Sequence, residues 1–502
     1  MTSKNTQKPF IKKFSHEGTF YIYDVNTNQI VEVEKSVYDI IDDYEPDNIP
    51  FIKANYKRLY EASELKSSHE KICNAVKEHG LFSNFRPQKV TLGIREPEDV
   101  KKLHEQGLRQ MILEITRTCN LNCSYCNASG KYSDTPALPQ EMSKDICRKA
   151  IDFFCSRSQD SEKPFISFYG GEPLLRIDLV KESVEYVKNT YGKDKYSFNI
   201  TTNGTLLNKE IIDLFIQHDI RLMVSLDGPK KVNNRYRVYR TGGSSDDIFQ
   251  VIMKNLAFIK KYNNDYYKRN VSISSVLTPP FDGIDEILDF FSSDETLSEI
   301  RTGNGIRSSF VDTSETTFIE DFGLEQSMKE LHSVYDRFLE RLKKAILDNQ
   351  MDRITIEKST IYSILNNLAK RQIKRLYDFI HPLGACHIGL RRVFVNTAGD
   401  FYICERSGKN YKIGCLDAGF DYERMAGYYR KFEEAMEDCR NCWALTHCDR
   451  CWAQLGNIDK FTGQVKEQFC TANKYLIEKA FNVYTELLKK APDSLKVFSN
   501  VV

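Results

Sequence analysis

Neither sign of charge dominates this sequence: Lys and Arg number 71 against 70 for Asp and Glu over 502 residues. Without a charge excess there is no global field to draw the chain to a nucleic-acid backbone or an anionic membrane, and neither is an expected partner. No run of roughly 18 apolar residues occurs, which excludes a transmembrane helix by length. Met1-Thr2-Ser3-Lys4-Asn5-Thr6-Gln7 lacks the apolar stretch of a secretory signal, so a cytoplasmic location is expected. There is no repeat at solenoid periods and no low-complexity tract. The Lys-rich stretch at 10–13 reads as a solvated face.

What the chain does have is cysteine, 14 residues of it. Disulfides are rare in a reducing compartment, so the placement of these residues calls for another reading. The length implies two to four domains. Residues 19–24 and 29–33 are β-prone runs around a turn-forming Val25-Asn26-Thr27-Asn28. Ser36 is placed to cap a helix through Tyr44. A second helical pattern covers 55–79 with Gly80 as its C-cap. Residues 91–109 form a polar bridge.

From residue 111 to about 348, short β-prone runs alternate with helical patterns. The strand candidates are 111–115, 165–169, 196–200, 221–225, 271–276 and 307–311, with helices such as 144–155 and 247–261 between them. Six strand–helix units predict an α/β fold, a parallel sheet curled into a partial (β/α)6 TIM-like barrel. In such sheets the working residues sit at the C-terminal strand ends. Helices are expected at 325–348 and 358–378, then a cysteine-dense region from 384 to about 470, then a helix at 474–490.

Cys119, Cys123 and Cys126 form C-x3-C-x2-C directly after the first barrel strand. Three thiolates on a four-iron cluster leave one iron without a protein ligand, which is an open, catalytic arrangement. A zinc loop is the alternative. Tyr125 precedes the third cysteine. Gly170-Gly171-Glu172-Pro173 follows the second strand, Thr201-Thr202-Asn203-Gly204 the third, and Ser225-Leu226-Asp227-Gly228-Pro229 closes the fourth. Together these resemble the signature of the radical S-adenosylmethionine (SAM) superfamily.

The resemblance implies a [4Fe–4S] cluster on Cys119, Cys123 and Cys126, with S-adenosyl-L-methionine chelating the open iron. It implies cofactor contacts from Gly170, Gly171, Glu172 and Pro173, with Asn203 near them, Tyr125 near the adenine, and Ser225 and Arg237 at the ribose and carboxylate. Arg240 is a rival to Arg237. The general base stays unassigned.

Cys386, Cys404, Cys439, Cys442, Cys448, Cys451 and Cys470 resemble the SPASM extension of peptide-modifying radical enzymes, which binds two auxiliary [4Fe–4S] clusters. The resemblance gives Cys439, Cys442, Cys448 and Cys470 to one cluster and Cys386, Cys404 and Cys451 to the other. A fourth ligand for the latter could be Cys415, His387 or a substrate thiolate. A zinc-ribbon-like site is the alternative. Cys73, Cys147 and Cys155 read as small buried side chains, and His381, His387 and His447 as structural histidines.

The strand pair and helices at the N-terminus resemble the winged-helix-like leader-recognition (RRE-like) module of enzymes that mature ribosomally made (RiPP) peptides. Such a module takes a leader peptide as an added strand; a plain helical cap is the alternative. The expected domains are 1–90 for recognition, 91–109 for the bridge, 110–320 for the radical SAM core, 321–383 for a helical connection, 384–475 for SPASM and 476–502 for the final helix and tail. Thioether formation between a Cys sulfur and a carbon is the expected activity. The expected partners are a precursor peptide with its leader and an electron donor such as flavodoxin or ferredoxin. Formylglycine formation on a sulfatase and carbon–carbon crosslinking are the enzyme alternatives, and a zinc-bound peptide-binding module the non-enzyme one.

Overall fold

The computed structural model describes residues 8–104, 107–126, 140–240, 247–302, 305–311, 316–460 and 463–498. The heptapeptide Met1 to Gln7 and the last four residues of the expected tail lie outside this set.

The chain opens with three antiparallel strands, β1 (Ile11–His16), β2 (Thr19–Asp24) and β3 (Gln29–Val33), in the order β1-β2-β3. The β2–β3 turn closes on Asp24, whose buried carboxylate accepts from Thr27 N at 2.7 Å and from Phe82 N at 2.6 Å. Strand β1 corrects the solvated-face reading of residues 10–13. Phe10 and Phe14 are buried, and Lys12 lies over the Trp443 ring and pairs with Glu478.

Helices Lys35–Ile40, Ile49–Tyr56 and Ala62–His79 cover the sheet. The pattern read as one helix over 55–79 is broken between the last two. Gly80 caps the third helix in the left-handed region at φ 65°, where a residue without Cβ carries no strain. Ser36 is not a cap: the helix starts at Lys35 after Glu34, and Ser36 Oγ accepts instead from Ser68 at 2.8 Å.

The bridge holds β4 (Lys89–Val90) and the helix Pro97–His104, whose Val100 and His104 are fully buried, so it is packed structure rather than a polar linker.

The core follows as β5 (Gln110–Thr116), β6 (Phe165–Gly170), β7 (Ser197–Thr202), β8 (Ile220–Ser225), β9 (Val271–Leu277) and β10 (Ile306–Phe310). They pair in sequence order, all parallel. This is the partial (β/α)6 arrangement expected from the sequence. On one face Ile166, Phe168, Phe198, Ile200, Leu222, Val224 and Ile273 are buried in the core. The alternate residues, among them Glu114, Tyr169, Asn199, Thr201, Ser225, Ser272 and Ser274, are polar and half-buried. Period-two alternation therefore gives the barrel an apolar outside and a polar lumen.

Strands β11 (Phe379–Ile380), β12 (Val393–Val395), β13 (Asp400–Tyr402), β14 (Lys412–Cys415) and β15 (Gly419–Phe420) complete the chain's sheets. β12 pairs parallel with β5 through Val393↔Met111, Phe394↔Ile112 and Val395↔Leu113, and β13, β14 and β15 follow antiparallel. The cysteine-rich region thus extends the barrel sheet to ten strands. The helix expected over 358–378 is confined to Ile356–Thr360 and Tyr362–Ala369. Beyond it an extended strap crosses to the N-terminal sheet, with Leu376 N donating to Asn26 O at 2.6 Å, and β11 then pairs with β4.

The closing helix runs over Gly463–Lys490, longer than expected. Phe481 on it is fully buried, 5.4 Å from Phe14, 4.9 Å from Tyr23 and 5.9 Å from Trp443 between ring centroids. Phe481→Ala is expected to cost about 3–5 kcal/mol and to unseat β1 and β2, read as a lower denaturant midpoint and as early hydrogen exchange in residues 11–24.

Candidate active site at the barrel mouth

Strand β5 ends at Thr116, and the cysteine loop that follows is pinned on several sides. Gly171 N donates to Thr116 O at 2.8 Å and Glu172 N to Thr118 O at 2.9 Å; Asn122 N donates to Val238 O at 2.7 Å and Arg240 N to Asn120 O at 2.9 Å. A Cβ on Gly170 would stand 2.0 Å from Thr116 O, and one on Gly171 2.3 Å from Thr118 O. The double glycine is therefore required by the chain's own loop; the sequence suggested only a ligand.

Glu172 is fully buried. Its carboxylate accepts from Asn203 N and Thr202 Oγ1 at 2.7 Å each and from Leu174 N at 3.0 Å. Burial raises its pKa against those donors. Pro173 opens the short turn Pro173–Arg176. Asn203 reaches back to the cysteine loop, donating to Asn120 Oδ1 at 2.8 Å and to Cys119 Sγ at 3.8 Å. Ser225 ends β8, half-buried at the rim of the polar lumen.

Tyr125 and Arg237 are drawn together by Asp227. Arg237 donates to the two carboxylate oxygens at 2.8 and 3.1 Å, Tyr125 Oη donates at 2.5 Å, and Val276 N donates at 3.0 Å. Burial alone would discharge Arg237, but the Asp227 carboxylate overrides it and holds the guanidinium firmly charged. Arg240 is exposed and donates through Nε to Cys119 O at 3.0 Å.

Burial pushes the Cys123 thiol up to about 12 and raises Cys119 as well. A cationic centre is what keeps such sulfurs as thiolates. Among the described residues no three cysteine sulfurs lie within 4.8 Å of one another. The thiolates of a tetrahedral zinc with bonds of about 2.3 Å would stand roughly 3.8 Å apart. A donor set made of sulfur alone suits a metal–sulfur group.

Seven of the other eleven cysteines lie close enough in the C-terminal region for their charges to act on one another. After burial, the Cys451 charge acts on both Cys386 and Cys404. Cys442 acts on Cys439 and Cys448, and Cys470 on Cys442. Trp452 Nε1 donates to Cys386 O at 2.8 Å, Arg450 Nη2 to Cys470 Sγ at 3.1 Å and Asn473 Nδ2 to Cys448 Sγ at 3.3 Å.

Cys415 stands opposite Asp400, whereas Cys404 lies beyond Tyr402 at the other end of the hairpin. At about 3.3 Å per residue they are roughly 10 Å or more apart, which removes Cys415 as a shared ligand. His387 packs against His381 at 5.7 Å and Tyr429 at 6.5 Å. His447 is buried between Tyr23 and Phe481, lowered to about 3 by burial. Cys147 and Cys155 are buried as expected, but Cys73 is half-buried.

Two lumen residues escaped sequence reasoning. Glu114, paired in register with Tyr169, is raised to about 7 by burial despite Arg117 and the Thr397 amide. A lone acid in the apolar run 111–115 was the available signal. Tyr169 is raised by burial, with the charges of Glu405 and Cys126 also acting on it.

Parallel barrel, cysteine loop and glycine edge are together what the radical SAM resemblance implies for the core. Residues 113–291 match the Radical SAM superfamily model. The chain is 32% identical over 157 residues to the uncharacterized protein MJ0907 of Methanocaldococcus jannaschii, covering 31% of this chain and 50% of that protein. It is 23% identical to the radical SAM cyclopropyl synthase TigE of Paramaledivibacter caminithermalis over 77% of this chain and 74% of that one. It is 30% identical to the serine-type anaerobic sulfatase-maturating enzyme of Bacteroides thetaiotaomicron over 31% of this chain and 37% of that enzyme. The chain thus spans half or less of the first and third of these relatives. Among solved structures, anSMEcpe with bound AdoMet and Cp18Cys peptide shares the fold at TM-score 0.56 and 16% identity, covering 79% of this chain and 99% of that one.

Glu114 gives a pH signature. Its folded pKa, about 7, lies above the ordinary 4.5, so the folded state holds the proton more tightly. The associated stability is complete below about pH 4.5 and is lost as pH rises through 7, about 3 kcal/mol in all. Glu114→Gln is expected to flatten that fall, measured by denaturant unfolding at pH 5.5 and 8. Arg237→Met strands a buried Asp227 carboxylate and is expected to cost about 3–5 kcal/mol, with part recovered in the Arg237→Met/Asp227→Asn double variant.

Proposed function

We propose that this protein is a peptide-modifying radical SAM enzyme that links a cysteine sulfur of a ribosomally made precursor peptide to a carbon of another residue, removing two hydrogens per bond. The observation that carries this reading is the continuous sheet: β12 pairs with β5, so the segment carrying Cys404 and the loop carrying Cys119, Cys123 and Cys126 are mounted on one barrel wall. A peptide in the polar lumen would meet both cysteine sets at once.

Cys119, Cys123 and Cys126 would hold one [4Fe–4S] cluster, Cys439, Cys442, Cys448 and Cys470 a second, and Cys386, Cys404 and Cys451 a third with room for a substrate thiolate. With S-adenosylmethionine bound, these groups supply a hydrogen-abstracting 5′-deoxyadenosyl radical, a soft position for sulfur and a sink for one electron. The protein's own residues bind and orient. Gly170 to Pro173 shape the edge against the cysteine loop, Asn203 and Ser225 line the rim, and Tyr125 and Arg237 are locked by Asp227. Arg240, exposed and bonded to Cys119 O, would meet a cofactor carboxylate in place of Arg237, whose guanidinium is held by Asp227. Glu114, half-buried on the lumen side of β5, would accept a proton from the substrate.

The N-terminal sheet docks the leader. β3 is an edge strand, open to strand addition. A cavity of about 470 Å³ lies at its start, lined by Gln29, His79, Gly80, Ile373, Lys374 and Arg375 among others. Electrons come from a small donor such as a flavodoxin or ferredoxin.

A second reading, carbon–carbon ring closure on a peptide, is favoured by the likeness to TigE over most of the chain. Anaerobic incubation of a precursor peptide with S-adenosylmethionine and reductant, followed by tandem mass spectrometry, separates the two. The thioether reading expects two hydrogens lost per bond and a cysteine that no longer alkylates. A modified peptide with its thiol still alkylatable supports ring closure, and an unmodified peptide beside free deoxyadenosine removes both. The holoenzyme is expected to carry about twelve irons, and a colourless protein holding zinc would falsify the cluster assignment.

A further inference from the structure

One thiol stands apart from both cysteine groups and from the barrel. Cys73 lies on the helix Ala62–His79, one turn after His69, and is half-buried. Its Sγ is 3.7 Å from His69 Nδ1, and Tyr44 Oη donates to it at 3.2 Å. The other ring nitrogen, Nε2, is 2.9 Å from Glu45 O. A carbonyl oxygen only accepts, so Nε2 carries the hydrogen, and Nδ1 of the neutral ring keeps a lone pair facing the thiol.

The imidazole is 6% exposed and packs on the Tyr44 ring at 5.1 Å, which fixes its orientation. Burial and the hydrogen bond to Cys73 keep the Tyr44 hydroxyl protonated far above its ordinary range, so it persists as a donor. A nucleophile, a base, a group that orients the base and a donor to the sulfur thus converge on one half-open spot. The thiols outside the cluster groups that are buried lack this setting: burial pushes Cys147 up to about 11 and Cys155 up to about 12.

We infer that Cys73 is a modification site, an activated thiol that exchanges with small disulfides. His69 Nδ1 takes the thiol proton, and the sulfur attacks one sulfur of the small disulfide. A mixed disulfide forms, the other half leaves as a thiolate, and the small disulfide is itself the two-electron oxidant. This inference does not depend on the peptide-modifying reading.

The test uses anaerobically purified holoenzyme with its clusters intact, exposed to glutathione disulfide, with the adduct located by peptide mapping and its rate followed at pH 7. Cys73 is expected to react first among Cys73, Cys147, Cys155 and Cys415, with iron content unchanged. His69→Gln should slow the reaction about tenfold or more and Tyr44→Phe several-fold. Cys73 reacting no faster than Cys415, or at an unaltered rate in both variants, overturns the inference. If His69→Gln fails to fold by circular dichroism, Tyr44→Phe decides alone, since it removes only a hydroxyl: a slower rate upholds the activated thiol and an unchanged one overturns it.

Discussion

Two peptide carbonyls, those of Thr116 and Thr118, govern the site. They receive the amides of Gly171 and Glu172 at a separation where any side chain on Gly170 or Gly171 would collide with them. This contact joins the end of β6 to the loop after β5, and that loop carries the three cysteines. The loop has little regular structure of its own; its position is borrowed from the sheet through these hydrogen bonds. A ligand set built on a loop needs such support, because misplacement by an ångström is enough to spoil coordination geometry.

The second constraint is the pairing of β12 with β5. The cysteine-rich region continues the barrel sheet at its open edge, and Cys404 follows β13, the next strand out. Backbone hydrogen bonds across a continuous sheet leave far less freedom than a linker between separate domains. The lumen side of the same strands is polar because period-two alternation sends Ile and Phe outward and Ser, Asn, Glu and Tyr inward. One sheet therefore builds both the wall of the chamber and the mount for a second group of sulfurs.

The barrel was legible because its strands are apolar on one face and flanked by long amphipathic helices, so all six core strands fall within a residue or two of their expected places. The cysteine-dense stretches themselves stood out by spacing, while their division into ligand sets came only from the family resemblance. Strand β1 was hidden by Lys12 and Lys13, whose ammonium groups lie over the Trp443 and Tyr38 rings and also pair with Glu478 and Asp42. Residues 371–378 look helical by composition, yet they form no helix, and Leu376 N and Asp378 O bond instead to Asn26 and to Gln88 and Lys89. Local propensity yields to such tertiary hydrogen bonds. The strands β12 to β15 are two to four residues long, too short for any periodicity to show. Glu114 and Tyr169 were overlooked since register, not sequence, makes them neighbours.

Two buried carboxylates do for the barrel mouth what the carbonyls do for the cysteine loop. Glu172 ties the end of β6 to Thr202 and Asn203 at the end of β7, and Asn203 in turn touches Cys119 and Asn120. Asp227, just past β8, ties Val276 on β9 to Tyr125 in the cysteine loop and to Arg237. Burying an ion pair seldom stabilises a fold, because desolvation offsets the Coulomb gain. What it does supply is orientation: each carboxylate has several donors with fixed directions, drawn from the end of β7, from β9, from the cysteine loop and from Arg237. The cysteine loop is thus triangulated by β6, by β7 through Asn203, and by β8 and β9 through Asp227. Removing either acid would leave buried donors without acceptors at the place where the sulfurs must be held still, so the barrel mouth is rigid because its charges are satisfied only in this arrangement.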